Sequence, residues 1–411
     1  MACRTFFTEI FVVAQSADAH REELFGSLWA DEKRHFGREK AQMILYIILA
    51  VLTAGLGFLV NNHYVKQSNT VTRQQMLNYL SLVSVFLLLF GVCACRLNVG
   101  NDYAKYVEFM HLIECNAYVP TEFGFNWIVK ALYAISGYEN YLLVFAFFAF
   151  FTILLFMVAI YRQADSFGFS FFLFMAFGYY FQSFNTVRYY LALAIALFSI
   201  PYVLRKEWVK FLLLVLVGAT LHKSLLVVIP LYILAVHRWK KWQLALAALF
   251  CSTFFFLQDF YLKAVVFLYP TYEDTEYLGG GTSYVNIARC LGILVFSLFC
   301  YRKTVRDSKK NRFYFYCNLG ALVMYVCCSF LPIISRIGYY LTITHIFFLP
   351  ALLRGIENKK WRRILTVLVG VAALLYFGIF IIRKAGGDGL RILPYETFMF
   401  HDMVPILSDV N

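Results

Sequence analysis

Long apolar runs constrain this chain more than any other feature of its sequence. The first run begins at Met43 and reads MILYIILAVLTAGLGFLV. Twelve further runs follow, at residues 77–95, 123–135, 139–160, 166–182, 186–204, 209–222, 223–236, 243–258, 284–301, 313–331, 337–353 and 363–382. A helix of about 20 apolar residues crosses the hydrocarbon core of a bilayer, where irregular backbone would leave polar groups unpaired. The sequence therefore predicts an all-α polytopic integral membrane protein with about 12–13 transmembrane helices.

The composition agrees with this fold class and excludes others. Hydrophobic residues make up 61% of the 411 residues, charged residues make up 15%, and the mean hydropathy is +0.66. The net charge of +13 would suit a nucleic-acid partner. However, the basic residues lie between the apolar runs, as they do in the cytoplasmic loops of membrane proteins. We therefore predict no nucleic-acid partner.

The ten cysteines are scattered, and most of them fall inside apolar runs. They show no CxxC spacing and form no Cys/His quartet, so we predict neither a disulfide framework nor a metal site. Glu273 and Asp274 are a weak substitute for a metal-binding acidic pair, and the glycines at 279–281 lack the Lys-Ser/Thr of a P-loop. We expect no essential metal and no cofactor.

Three regions differ in composition. Residues 1–42 are mixed and charged, without the apolar core of a signal peptide, so we expect an N-terminal extension or a mis-assigned start, since a membrane protein could begin at Met43. Residues 43–382 are predicted to form the multi-helix membrane domain. Residues 383–411 are predicted to be a short C-terminal tail, on the extracytoplasmic side.

The basic residues predict the orientation of the helices. The loop 302–312 holds six of them, which places it in the cytoplasm. Alternation then puts the loops at 61–76, 161–165, 205–210, 237–242 and 354–363 on the same side, and together these six loops hold 20 of the 37 basic residues. This scheme leaves 96–138 outside, with 123–135 not fully spanning. In the alternative, the six basic residues of 1–42 lie inside, 123–135 spans, and 96–122 is cytoplasmic.

One helical hairpin, 184–224, shows how polar groups are distributed. Its first helix starts near Arg188 and ends at Arg205 and Lys206, and 186–204 spans roughly 28 Å. The second helix returns to His222. Arg188 and His222 are therefore predicted to share one face of the membrane, opposite the ordinary basic loops.

Four polar groups share the predicted outer face: residues 96–103 with Tyr106 and 122–125, residues 185–188, residues 222–224, and residues 335–340. Because a planar guanidinium pairs bidentately with phosphate oxygens, Arg96, Arg188 and Arg336 could converge on a lipid diphosphate and stabilise it as a leaving group. In the alternative, each arginine simply extends its charge to the interface.

Two carboxylates and a histidine are candidates for acid–base chemistry. A sugar hydroxyl loses a proton when it attacks an anomeric carbon, and Asp102, Glu122 or His222 could accept it. In the alternative, Asp102 caps a helix over 103–112 and pairs with Arg96, and His222 is a structural donor. His345 lies deeper in an apolar helix, and we expect it to pack.

These motifs resemble the EpsG family. RLNVGNDYAKY, at 96–106, resembles its Arg-x-x-x-Gly-Thr-Asp-Tyr-x-x-Tyr segment, and 122–125 resembles the following Glu-x-Gly-Phe. Residues 185–188 resemble its Asn-x-x-Arg-Gln helix, 221–224 its Phe-His-x-Ser ending, and 336–340 a late Arg-x-x-x-Tyr element. The resemblance covers about residues 43–400. The departures from the pattern are Asn101 for Thr, Tyr189 for Gln and Leu221 for an aromatic residue, which bear on contacts with the particular sugar.

The resemblance implies a Wzy-like polymerase of bacterial exopolysaccharide, capsule or O-antigen synthesis. Its substrate would be an undecaprenyl-diphosphate-linked oligosaccharide at the outer face of the plasma membrane, where membrane lipid, a flippase and a chain-length regulator would be its partners. In that frame Arg96, Arg188 and Arg336 would hold diphosphates, Asp102 or His222 would act as base, and Glu122 would orient. We also expect the motif residues Tyr103, Asn185 and Tyr340 to contact substrate.

Other functions fit less well. An O-antigen ligase-like transferase would use the same donor with another acceptor, and a lipid-phosphate-sugar glycosyltransferase would want a carboxylate pair such as Asp102 and Glu122. A flippase or transporter would carry internal repeats and polar residues at the midplane, whereas here the polar groups gather at one face. A membrane acyltransferase would need a carboxylate partner for His345.

Overall fold

The computed structural model describes residues 43–63, 71–268, 281–331, 334–386 and 389–400. The predicted extension 1–42, residues 272–274 and 279–280, and the chain end 401–411 lie outside this part. The described residues form seventeen α-helices: α1 Met43–Phe58, α2 Arg73–Ala94, α3 Tyr103–Glu114, α4 Phe123–Ser136, α5 Tyr141–Gln163, α6 Phe167–Ala176, α7 Tyr179–Gln182, α8 Val187–Leu204, α9 Trp208–Ala219, α10 Val228–Val236, α11 Lys241–Phe256, α12 Gln258–Leu268, α13 Tyr284–Phe299, α14 Lys309–Cys327, α15 Ile334–Thr342, α16 His345–Arg354 and α17 Lys359–Lys384.

Short helical pieces complete this secondary structure. A 3₁₀ turn, Lys223–Val227, joins α9 to α10, a π turn, Tyr301–Val305, follows α13, and a 3₁₀ turn, Phe398–Phe400, ends the described chain. Apart from one isolated bridge between Arg96 and Thr397, the described residues form no β-structure. The chain is therefore an all-α polytopic membrane protein, as the apolar runs predicted.

Within the described part of the chain, five helical segments are long and apolar enough to cross a membrane: α2, α5, α8, the α15–α16 segment Ile334–Arg354, and α17. The pair α11 and α12, bent by 86°, would make a sixth span. This is fewer than the 12–13 spans predicted, because several apolar runs form helices of only 10 to 16 residues, or about 15 to 24 Å. The run 166–182, for example, is interrupted at Gly178, which has a φ of +74°.

Helix α8 lies at the centre of the helix assembly. Its residues are apolar around nearly the whole circumference, and Ala192, Ala194 and Ala196 are all fully buried. Such small side chains let α5 and α9 approach it closely. In contrast, α17 keeps most of its apolar surface exposed, as expected of a helix that faces lipid.

The basic loops gather at one end of the helices. Asp165 accepts from Lys310 Nζ at 2.8 Å, and its backbone oxygen lies 3.1 Å from His63 Nε2. Lys303 pairs with Glu357 at 3.1 Å. These contacts join loops that the charge count assigned to one side of the membrane.

The segment 389–398 folds back over the loop 95–101 at the other end. Leu97 N donates to Glu396 O at 2.9 Å, and Gly100 N donates to Arg391 O at 2.8 Å. Tyr46 OH of α1 holds the same segment through Ile392 O at 2.6 Å. This part of the predicted tail is thus packed against the loop that leads into α3.

Candidate functional site

A cavity of about 140 Å³ brings together members of all four polar groups predicted to share a face. It lies where the N-terminal ends of α3, α8 and α15 meet the turn after α9. Its lining residues are Asp102, Lys105, Tyr106, Phe109, Thr186, Arg188, Tyr189, His222 and Arg336. We call it the polar cavity.

One face of α3 forms a wall of the polar cavity. Asp102, Lys105, Tyr106 and Phe109 follow the i, i+3, i+4, i+7 spacing that aligns side chains on a helix. Lys105 Nζ lies 5.7 Å from the centroid of the Phe109 ring. The cavity therefore presents a cation and an aromatic ring beside the carboxylate.

The loop before α3 is held tightly. Gly100 has a φ of +108°, and a Cβ there would lie 2.8 Å from Phe184 O. Asn185 Oδ1 accepts from Asp102 N at 2.9 Å. A left-handed glycine and a side-chain amide thus fix the start of α3 against the segment that precedes α8.

The carboxylate of Asp102 makes no cap hydrogen bond, although the residue occupies the N-cap position of α3. The capping interpretation is therefore wrong, because the backbone at Asp102 is already helical, with φ −82° and ψ −1°. Burial raises the pKa of this carboxyl, while the charges of Arg336, Lys105 and Arg188 oppose the rise. Asp102 is thus a half-buried acid that faces cations.

Glu122 ties three segments together. Its Oε2 pairs with Arg188, and its Oε1 accepts from Lys223 N at 2.9 Å. The guanidinium of Arg188 also lies 5.1 Å from the Phe125 ring centroid. Each oxygen of Glu122 therefore has one partner, and Glu122 is not among the residues that line the polar cavity.

His222 is held in one tautomer. Its Nδ1 accepts from Ser224 N at 3.3 Å and lies 2.8 Å from Ser224 Oγ, which is 2.9 Å from Tyr340 OH. Because a backbone N–H can only donate, Nδ1 is unprotonated, and the neutral ring carries its proton on Nε2. Burial, together with the charges of Arg188 and Arg336, lowers the pKa of His222 to about 3.

Arg96 does not reach the polar cavity, so the prediction that three arginines share one pocket is wrong for this residue. Its side chain is 1% exposed, and its Nη1 donates to Cys93 O at the end of α2. Its guanidinium lies 5.1 Å from the Phe145 ring centroid and 5.4 Å from that of Phe184. Arg188 and Arg336 do line the same cavity.

Three residues expected to contact substrate do not line the polar cavity. Tyr103 is fully buried and stacks on Phe145 at 4.4 Å between centroids. Asn185 and Tyr340 act through their bonds to Asp102 N and Ser224 Oγ. Their direct contact with substrate stays a prediction.

Lys105 and Phe109 line the cavity but were not singled out from the sequence, and Tyr189 was noted only as a departure from the family pattern. The helical spacing from Asp102 would have indicated the first two. Tyr189 donates to Arg336 O at 2.6 Å, and its ring lies 5.7 Å from that of His222. His345 is fully buried in α16, as expected.

No group of three or more His, Cys, Asp or Glu side chains in the described part of the chain is arranged to hold a metal ion. Metal independence remains a prediction. No curated protein matched in the search of known sequences, and no solved structure matched in the search of folds.

The sequence model of the EpsG family matches residues 79–397. This span includes the four polar groups, the central helix α8 and the segment that folds back over 95–101. The match covers most of the chain and agrees with the all-α membrane architecture. The chain therefore belongs to the EpsG family, a Wzy-like family of polysaccharide polymerases.

Proposed function

We propose that this protein polymerises undecaprenyl-diphosphate-linked oligosaccharide repeat units into surface polysaccharide at the outer face of a bacterial plasma membrane. Membership of the family supports a glycosyltransferase-type polysaccharide polymerase. The observation that carries the finer proposal is the polar cavity, in which one carboxylate without a cap bond faces two arginines and a neutral histidine.

The arginines of the polar cavity would bind a diphosphate. Arg336 is exposed and makes no ion pair among the described residues, so its guanidinium is available to an anionic ligand. Arg188 is fixed by Glu122 and has a buried Nε without a hydrogen-bond partner. Charge-assisted, bidentate bonds from two guanidinium groups would stabilise the diphosphate as it leaves.

Asp102 is the general base in this proposal. The acceptor hydroxyl gives its proton to the carboxylate while its oxygen bonds to the anomeric carbon of the growing glycan. The bond from that carbon to the diphosphate oxygen breaks, and the diphosphate carrier leaves with the electron pair. Glu122 does not line the polar cavity and is paired with Arg188, so it acts as a positioning residue for Arg188.

His222 would donate rather than accept a proton. Its Nδ1 is already an acceptor for Ser224, so the ring offers an Nε2–H to a phosphate or sugar oxygen in the cavity. A neutral donor beside two arginines suits an anionic ligand, because it adds a hydrogen bond without a further desolvated charge.

The outer-face location is supported by the distribution of charge. The polar cavity lies at the end opposite the loops that contain Asp165, Lys310 and Lys303. Basic loops mark the cytoplasmic side, so the cavity would open to the side where flipped substrate arrives. A flippase and a chain-length regulator are the protein partners that this location implies.

The decisive experiment is polymerisation of a lipid-linked repeat unit by the purified full chain in lipid nanodiscs. Wild-type protein should give a ladder of chain lengths. Asp102→Asn should lower the rate by roughly 10²- to 10⁴-fold, the usual range for loss of a general base. Arg336→Gln should likewise leave single units on the carrier.

Glu108→Gln is the matched control, because Glu108 is an exposed acid on the same helix. It should form the ladder at the wild-type rate. A normal ladder from Asp102→Asn would contradict the assigned base. Transfer of single units to another acceptor, without a ladder, would favour the ligase-like alternative.

A further inference from the structure

A second and larger cavity lies between α13 and α17, away from the residues of the polar cavity. Its volume is about 640 Å³, and apart from Arg289 and Tyr376 its walls are almost entirely apolar. We call it the Arg289 groove. Nothing in the proposed reaction so far uses it.

The groove contains a guanidinium, that of Arg289, which no carboxylate of the described residues pairs with. Arg289 lies between the rings of Phe177 and Tyr376, 5.1 Å from each centroid, and one of its nitrogens, Nη2, donates to Asn286 Oδ1 at 3.1 Å. Its Nε is buried without a hydrogen-bond partner. Placing an arginine in an apolar wall has a large desolvation cost in free energy. We therefore infer that a bound ligand compensates its charge.

The walls of the groove show what kind of ligand fits. Val295 and Phe299 on α13, and Leu375 and Ile379 on α17, line the groove and are exposed. In a bilayer these side chains face hydrocarbon, so the groove opens sideways into the membrane. An occupant must therefore be apolar along most of its length and anionic at one end.

The position of Arg289 along α13 fixes the direction of this occupant. Arg289 is five residues beyond Tyr284, about 7.5 Å from the start of the helix, whereas Phe299 lies about 15 Å further along. Phe299 leads to the basic loop, so Arg289 lies in the half nearer the polar cavity. The anionic end of the ligand would lie towards that end of the protein, and its chain would extend towards the basic loops.

We propose that the Arg289 groove binds a polyprenyl phosphate carrier, with the phosphate on Arg289 and the hydrocarbon chain between α13 and α17. The proposal rests on the proposed function, because joining two lipid-linked units requires two carriers to be held at once. The polar cavity holds one diphosphate on Arg188 and Arg336. The groove holds the second carrier, whose charged end compensates Arg289.

Photolabelling of the full-length protein tests this directly. The protein is placed in nanodiscs of zwitterionic phosphatidylcholine with a polyprenyl phosphate that carries a diazirine in its chain. Labelled peptides should map to α13 and α17. Arg289→Gln should reduce this labelling by roughly tenfold, since a charge-assisted pair is lost, while Arg289→Lys should retain part of it.

Arg383→Gln is the matched control, because Arg383 is an exposed cation near the end of α17. Its labelling should equal that of wild type. Labelling of α13 and α17 that is unchanged in Arg289→Gln, or absent in wild type, would overturn the proposal. Equal competition by phosphatidylglycerol would also overturn it, since the groove would then be a general site for acidic lipids.

The readout separates this proposal from the proposed function, because labelling needs no polymerisation. If wild type forms no ladder but is labelled in a way that depends on Arg289, the proposed function is wrong and the proposal of lipid binding in the Arg289 groove is retained. If Arg289→Gln keeps both the labelling and the ladder, while Asp102→Asn loses the ladder, the groove is rejected and the function remains.

Discussion

At the scale of single residues, environment separates three groups that the sequence offered as equal candidates for the base. Each oxygen of Glu122 has one partner, and His222 has its Nδ1 occupied by Ser224. Asp102 has no cap bond and faces the cations of the polar cavity. A base must reach the substrate with a free acceptor atom, and Asp102 lines the cavity whereas Glu122 does not, so we assign the role to Asp102 in our proposal.

The pH dependence of elongation should report Asp102 and not His222. Burial raises the pKa of Asp102 above its ordinary 3.8, and the base works only when ionised, so the rate should fall as pH drops through that raised pKa. The pKa of His222 is about 3, so its ring stays neutral near pH 7 and contributes no step near 6.5.

Elongation rates across pH 4 to 8 for wild type and His222→Gln check this prediction. The variant should be slower by roughly 10- to 100-fold, because a donor to the substrate is lost. The pH at which its elongation rate falls on the acid side, the acid limb of the profile, should equal that of wild type. Loss of the limb in His222→Gln would identify the histidine as the base.

At the scale of elements, the polar cavity depends on contacts between distant helices. Glu122 directly precedes α4, and it connects α8, through Arg188, to the turn after α9, through Lys223 N. The segment 389–398 in turn supports the loop that leads to Asp102. The geometry of the cavity therefore depends on contacts between short segments that lie far apart in the chain.

Glu122→Ala should destabilise the fold much more than the same substitution of an exposed acid. The pair with Arg188 is half-buried, with side-chain exposures of 16% and 13%, and breaking such a pair leaves a desolvated cation at a cost of roughly 3 kcal/mol. The control Glu207→Ala removes a solvent-screened pair with Lys210, so its loss should lower stability much less. Thermal unfolding midpoints in nanodiscs measure the difference, and equal shifts would contradict it.

Gly100→Ala should both destabilise the protein and stop polymerisation. A Cβ at this left-handed position would press on Phe184 O at 2.8 Å, which costs about 1–3 kcal/mol and displaces Asp102. Gly91→Ala is the control, since Gly91 is helical and no atom lies within 4 Å of its added Cβ. We expect a wild-type ladder and an unfolding midpoint at or above that of wild type, because Ala is favoured over Gly within a helix. A full ladder from Gly100→Ala would show that the loop tolerates the change.

At the scale of the whole molecule, polar chemistry and basic loops occupy opposite ends. The loops with Asp165, Lys310 and Lys303 contact one another, while the polar cavity lies at the far end of α5 and α8. The Arg289 groove opens between two helices with exposed apolar sides. A carrier arriving from the bilayer would thus meet the protein sideways, with its charged end at the level of the site.

Orientation in the membrane can be tested with a native residue. Cys115 is a free, exposed cysteine just after α3, within the segment 96–138 that we place outside. An impermeant thiol reagent should label it in intact cells, and Cys115→Ser should remove that label.

For the opposite side, Arg306→Cys in the Cys115→Ser background should be labelled only after permeabilisation. The reverse pattern would invert the topology and place the polar cavity in the cytoplasm. That result would exclude the outer-face reaction proposed here.

Much of the fold could be predicted from the sequence because the signals are local. An apolar run predicts a helix in lipid wherever it lies in the chain, and basic loops predict which helix ends lie together. The same reasoning grouped Asp102, Arg188, His222 and Arg336 on one face. It did not predict where a run is interrupted or shortened, as at Gly178, because hydropathy does not record this.

The sequence by itself determined the helical membrane class, the family and the residue types at the polar end. Only the tertiary structure decided which of them meet. Arg96 turns back to the end of α2 while Arg336 lines the polar cavity, and Glu122 and His222 are held by different partners while the Asp102 carboxylate faces the cavity. Side-chain direction and hydrogen-bond occupancy depend on neighbours far away in the chain, which no local pattern records.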